Sequence, residues 1–187
     1  FDKKELLTFC HVESFLGGHP EYEKVPGVEA STGSLGHGLP IGVGFALAAK
    51  LQKRKSRVAV IVGDGESNEG SIWEAAMSAT KHKLSNLTVF VDYNQIQSYG
   101  FVSEVLDLEP MEDKWASFGF SVEEVNGHDV TELKKILSRL PFNKEKPTAL
   151  ICHTIKGKGF PFAENNPKWH HKSKLSDAEI QMMYDCI

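Results

Sequence analysis

Between Arg57 and Asn94 the pattern of apolar and polar positions changes period twice. Arg57 to Val62 and Leu87 to Val91 are short runs rich in β-branched residues without polar alternation, as expected for strands buried on both faces of a parallel sheet. Between them, Glu69 to Lys83 places Ile72, Ala75, Ala76 and Ala79 at helical spacing, which predicts a helix with one apolar face. Strand, helix and strand in this order make one βαβ unit, so the residues that end the two strands, Asp64 and Asn94, arrive at the same edge of the sheet.

The same alternation continues on either side. Gly33 to Gly38 form a glycine-rich loop, and Leu39 to Lys53 read as a helix whose small residues allow close packing. Past Asn94 come a polar loop, a short helix around Met111 to Phe118, and a strand from Phe120 to Val125. A helix from Val130 to Leu140 follows, with Asp129 at its N-cap, and then a strand from Pro147 to His153. Lys156 to Ser173 is a long loop, and Asp177 to Ile187 resembles a terminal helix. The sum is an α/β fold with a doubly wound parallel sheet.

Composition narrows the function classes. With 187 residues, 41% of them apolar, the chain fills one core and is counted as a single domain, 1–187. A net charge of −4 and a pI near 6.1 provide no electrostatic footprint for nucleic acid or an anionic membrane. No apolar run approaches the roughly 18 to 20 residues of a membrane span, and the first residues do not read as a signal peptide. Cys10, Cys152 and Cys186 are widely spaced with no Cys-x-x-Cys pair, so a reducing cytoplasm is expected and Cys152 reads as a small buried hydrophobe.

The candidate chemistry lies where the two strands end. The carboxyl edge of an open α/β sheet is where such folds bind ligands. There the Asp64 carboxylate and the Asn94 amide oxygen are hard ligands suited to Mg²⁺ or Ca²⁺, and a backbone carbonyl near Gln95 and Ile96 can complete the set. Gly63 and Gly65 on either side of Asp64, followed by a helix start with free N–H groups, allow a phosphate to approach the backbone while the cation offsets its charge. The local reading is a metal-bridged diphosphate site.

Gly63-Asp64-Gly65 and Asn94 at this spacing resemble the thiamine diphosphate signature, and the text from Gly63 to Ala76 resembles transketolase. Gly18 to Glu21, Ser31 to Gly36, Gly127 to Asp129, Lys156 to Gly159 and Glu164 to His170 fall in the order seen in the diphosphate-binding half of that family. The closest resemblance is to bacterial transketolases split into two chains. It implies that Asp64, Asn94 and the carbonyl of Ile96 hold the metal, that Gly63 and Gly65 meet the diphosphate, and that Gly33, Ser34 and Leu35 lie against the cofactor. His19 is then expected near the reacting hydroxyl of the substrate and His170 near the diphosphate and the substrate carbonyl, with His171 competing for the inward position. His37 stands where the family often has glutamine. Glu69 and Glu74 match acidic residues that meet the partner chain in a shared proton network, although Glu69 equally suits a helix's first turn. Lys156 and Lys158 flank a glycine in a loop able to approach phosphate.

The resemblance further implies transfer of a two-carbon ketol unit from a ketose phosphate to an aldose phosphate, with thiamine diphosphate and Mg²⁺. The family's substrate-contacting N-terminal segment is missing from the sequence, and the glutamate that activates the cofactor's aminopyrimidine belongs to a separate pyrimidine-binding domain. A pyrimidine-domain partner subunit, self-association and inactivity of the isolated chain are therefore expected. A truncated non-catalytic paralogue, a deoxyxylulose phosphate synthase and a 2-oxo acid dehydrogenase subunit share most of these motifs and remain alternatives.

Overall fold

The protein is described by a computed structural model covering residues 1–187. Four parallel strands form the central sheet: β1 (Val58–Gly63), β2 (Leu87–Tyr93), β5 (Ser121–Asn126) and β6 (Thr148–His153), in the order β1-β2-β6-β5. A small antiparallel pair, β3 (Ile96–Gln97) and β4 (Gly100–Phe101), follows β2. Both strands of the predicted βαβ unit are present, and in the register Gly63 lies beside Asp92. Asp64 and Asn94 thus leave neighbouring strands at one edge.

The helices are α1 (Gly38–Leu51), α2 (Gly70–Lys81), α3 (Val102–Val105), α4 (Met111–Ser117), α5 (Val130–Leu137) and α6 (Asp177–Tyr184). One face of the sheet carries the larger core, where Leu39 and Ala46 of α1, Ile72, Ala76 and Ala79 of α2 and Trp115 of α4 pack on Val62, Val89 and Val91. The opposite face carries a smaller core in which Ile136 of α5 meets Val125, Leu150 and Cys152. Covering helices on both faces is the doubly wound arrangement, and β6, fully buried from Thr148 to Cys152, is its centre.

Three details differ from the sequence pattern. β1 is an edge strand and is covered on one face only, so Ile61 is 75% exposed although its run reads as buried on both sides. The predicted helix from Glu69 begins as a short 3-10 turn, Gly65–Asn68, with α2 starting at Gly70, because the Asp64 side chain first caps Gly65 N–H. The hairpin at 96–101 is too short to carry a period-2 signal. Asp129 caps α5 as expected, accepting from Thr131 and Glu132 N–H, while the Ser176–Glu179 capping box of α6 is an additional device.

Two glycines of α1 make opposite predictions. A Cβ on Gly42 would lie 2.3 Å from Val60 Cγ2, whereas one on Gly44 meets nothing within 4 Å. Gly44→Ala is expected to stabilise the chain by up to about 1 kcal/mol through helix propensity, and Gly42→Ala to lower the melting temperature because helix and strand must separate. Thermal denaturation followed by circular dichroism checks both signs.

The cysteines also separate by environment. Cys10 and Cys186 are exposed and free, and Cys152 is buried under α5. Burial, aided by the Asp92 charge, pushes the Cys152 thiol up to about 11. Because the raised value favours the neutral thiol, its contribution to stability is complete below the ordinary thiol range and is lost as pH rises through about 11. At pH 8 an aromatic disulfide reagent is expected to titrate two thiols rapidly and the third only after unfolding.

Candidate active site at the carboxyl edge of the sheet

Asp64 lies one residue beyond β1 and is 2% exposed. Its two carboxylate oxygens accept different backbone donors: Oδ1 takes Gly65 N–H at 2.7 Å, and Oδ2 takes the N–H of Gln95, beyond the end of β2. The second bond seats the carboxylate against the Asn94–Gln95 turn. Gln95 adopts φ +62°, an uncommon value for a residue with a side chain, which turns the chain sharply between Asn94 and Ile96. Asn94 is buried at 8% exposure, and its Oδ1 accepts Ile96 N–H at 3.1 Å. Burial raises the Asp64 pKa above the ordinary carboxylate value, and the charge of Asp92 adds to this; the two backbone hydrogen bonds and Lys156 act the other way.

The loops around this pair are tied together by Glu66, a residue with no distinguishing signal in the sequence pattern. Its Oε1 accepts Gly36 N–H at 2.9 Å and its Oε2 accepts Gly63 N–H at 3.0 Å, so one carboxylate joins the glycine-rich loop to the end of β1. Ser71 Oγ donates to Gly36 O at 2.8 Å and closes the same junction. Gly36 has φ +78°, and a Cβ there would sit 2.5 Å from Ser71 Oγ, so both conformation and space require glycine.

His19 reaches the same loop from the N-terminal side. Gly33, at φ +118°, would place a Cβ 2.7 Å from the His19 ring, and Thr32 N–H donates to Pro20 O at 3.3 Å. Residues 19–20 and 32–33 therefore run side by side, with His19, Ser34 and Leu35 exposed. His37 folds back on the loop, its Nδ1 lying 3.1 Å from Leu35 O.

The segment after β6 supplies the remaining wall. Lys156, Gly157, Asn166, Trp169, His170 and His171 line an open cavity of about 320 Å³. His170 is the inward histidine: its Nε2 lies 3.3 Å from Ser98 Oγ, and its Nδ1 is buried with no partner. His171, at φ +53°, is less enclosed. Burial first, then Lys156 and His171, hold the His170 pKa below the ordinary imidazole value, which favours the neutral ring. The charge of Lys156 acts on both groups, opposing the rise of the Asp64 pKa and adding to the lowering of the His170 pKa. Lys158 pairs with Glu164 at 3.4 Å, and Glu164 also accepts Gly159 N–H. Glu69 occupies the N-cap position of α2 with its side chain making no capping bond, and Glu74 is exposed on the same helix.

Two further buried polar atoms without partners, Asn68 Oδ1 and Gln97 Nε2, lie on segments beside Asp64 and Asn94. An anionic carboxylate, a side-chain amide oxygen, a close glycine backbone and unpartnered polar atoms together fit a hard cation and an anionic group. Fold and site define an α/β domain of the open-sheet class, in which ligands bind at the carboxyl edge of the strands.

The chain belongs to the transketolase family: residues 1–186 match the model of the transketolase thiamine diphosphate binding domain. It is 45% identical over 177 residues to an apulose-4-phosphate transketolase subunit of Actinobacillus succinogenes, an alignment covering 95% of this chain and 63% of that protein. It is 39% identical over 174 residues to a 6-deoxy-6-sulfo-D-fructose transketolase subunit of a Clostridium species, covering 92% and 63%. The chain therefore spans about three fifths of the length of these relatives. Among solved structures, transketolase of Campylobacter jejuni superposes with a TM-score of 0.83 at 33% identity, covering 89% of this chain and 27% of that one. Transketolase of Pichia stipitis in complex with sedoheptulose-7-phosphate gives 0.87 at 31%, covering 96% and 28%.

Proposed function

We propose that this chain is the diphosphate-binding part of a split transketolase that moves a two-carbon ketol unit from a ketose to an aldose phosphate, with thiamine diphosphate and Mg²⁺. The observation that carries this reading is the buried Asp64 carboxylate bonded to the Asn94–Gln95 turn at the carboxyl edge. Two relatives take their names from apulose-4-phosphate and 6-deoxy-6-sulfofructose, so the donor class proposed here is a ketose with an anionic group at the end remote from the transferred carbons.

In this reading Asp64, Asn94 and the carbonyl of Ile96 hold the metal, and Gly63 and Gly65 admit the diphosphate to the backbone. Gly33, Ser34 and Leu35 flank the cofactor. Thiamine diphosphate, when bound, would supply the nucleophilic carbon and electron sink for ketol transfer. The chain's own residues position and move protons around it. His170, neutral and with Nδ1 free, exchanges a proton or hydrogen bond with an oxygen in the cavity, and His19 serves the reacting hydroxyl. Lys156 attracts the anionic end of substrate or cofactor.

Glu69, at the start of α2, is assigned to a proton link with a pyrimidine-domain partner, which would supply the activating glutamate. Self-association belongs to the same proposal. Exposed free Cys10 and Cys186 suit a reducing cytoplasm, and no helix is long and apolar enough to cross a membrane. Calorimetric titration of thiamine diphosphate with and without Mg²⁺ tests the reading. Binding that needs the cation is expected, in the chain alone or once the partner is added, and cation-independent binding or none in the reconstituted complex overturns it.

A further inference from the structure

We propose that Asp92 and Thr154 are positioning residues that fix the Asn94 side-chain amide so that its oxygen, and not its NH₂ group, faces the metal position. This inference rests on the reading of Asp64 and Asn94 as a metal pair. The two ends of an asparagine amide have nearly the same shape, and only the oxygen can ligate a hard cation. Nothing within Asn94 selects the end, so its surroundings must.

They do so through partners of one polarity each. Asn94 Nδ2 donates to Asp92 Oδ2 at 3.0 Å, and Asn94 Oδ1 accepts Ile96 N–H at 3.1 Å. A carboxylate only accepts and a backbone N–H only donates, so turning the amide over would oppose two acceptors on one side and two donors on the other. Asp92 stands two residues before Asn94, which gives the two side chains the same side of the chain. Its backbone takes part as well, since Asp64 N–H donates to Asp92 O at 3.2 Å.

Asp92 is itself held from the next strand. Thr154 Oγ1 donates to Asp92 Oδ1, and Thr154 N–H donates to Tyr93 O at 3.2 Å, so Thr154 extends the β2·β6 pairing one step beyond β6. The end of β5 completes the chain of contacts. A Cβ on Gly127 would lie 2.5 Å from Thr154 Cγ2, so glycine there leaves the room that the threonine methyl fills. His128 Nε2 then accepts Ile155 N–H at 2.8 Å and secures the residue after Thr154. The Gly127-His128 motif thereby acquires a role: the carboxyl ends of three neighbouring strands set the orientation of one ligand. Outer hydrogen-bond partners of metal ligands are commonly worth about 10–100-fold in metal affinity.

The test uses the full chain with two readouts. In the metal-free protein, hydrogen exchange of the Asn94 side-chain NH₂, read in ¹⁵N spectra, reports how firmly that group is held by its Asp92 acceptor. Mn²⁺ binding in the presence of thiamine diphosphate, read by electron paramagnetic resonance, reports the ligand set. Thr154→Val and Asp92→Ala are expected to speed Asn94 NH₂ exchange and to weaken Mn²⁺ by roughly 10–100-fold. Thr154→Ser, which keeps the hydroxyl, is expected to restore both, whereas a role confined to packing would not follow the hydroxyl. Unchanged exchange and unchanged Mn²⁺ affinity in Thr154→Val, the variant closest in shape to the native residue, overturn the proposal. Absence of Mn²⁺ binding even in the complex reconstituted with the partner overturns the metal reading itself, while the exchange readout still decides whether Asp92 and Thr154 hold the Asn94 amide.

Discussion

Replacing Asp64 with alanine is expected to abolish Mg²⁺-dependent binding of thiamine diphosphate, lowering affinity by well over roughly 100-fold, because a direct ligand counts for more than its outer partners. The carboxylate is buried and has two backbone N–H donors but no cation beside it other than the more distant Lys156. That environment already disfavours its charge, and a bound divalent ion would remove the disadvantage. Alanine also leaves the Gly65 and Gln95 N–H groups without acceptors, at a cost of about 1–3 kcal/mol each. Asp64→Asn separates the two effects: it keeps the volume and one acceptor, so the fold should persist while binding is still lost. Calorimetry for binding and circular dichroism for folding distinguish the outcomes. Full Mg²⁺-dependent affinity in a folded Asp64→Asn protein would contradict the assignment.

The largest expected effect on stability comes from Trp115. It is fully buried where α4 meets α2 and the sheet, with its ring 5.1 Å from Trp73 and 5.0 Å from Phe120. Trp73 in turn lies 4.9 Å from Phe118, so one ring anchors a cluster of four aromatic residues. Trp115→Ala is expected to cost about 3–5 kcal/mol. That is a large part of the roughly 5–15 kcal/mol that holds a domain folded. Urea denaturation should show a much lower midpoint with an unchanged slope. Trp115→Phe should cost far less than its loss of volume implies, since the indole Nε1 is buried without an acceptor and its removal relieves an unpaired donor.

Much of the fold was legible in the sequence because its signals are local. The unalternating runs before Asp64 and Asn94, the helical spacing of Ile72, Ala75, Ala76 and Ala79, and Asp129 at a helix start each depend on a few consecutive residues, and all appear in the structure. The exposure of Ile61 was not legible, because an edge strand and a central strand have the same local composition and only the strand order separates them. Among the candidate site residues, Asp64 and Asn94 announced themselves by chemical type and by their place at strand ends. Glu66, Asp92 and Thr154 did not, since a glutamate in a turn, an aspartate at a strand end and a threonine after a strand are ordinary until their partners are known.

By itself the sequence determined the elements, the parallel βαβ unit, the family resemblance and the arrival of Asp64 and Asn94 at one edge, all of which follow from short-range periodicity and motif spacing. Only the tertiary structure decided which histidine of the 170–171 pair turns inward, which face of β1 remains open, and how Gly127 packs on Thr154, Thr154 bonds Asp92 and Asp92 bonds Asn94. The reason is physical: burial, tautomer choice and amide orientation are set by atoms distant in sequence, and hydrogen-bond polarity acts only once the folded chain has brought them within about 3 Å.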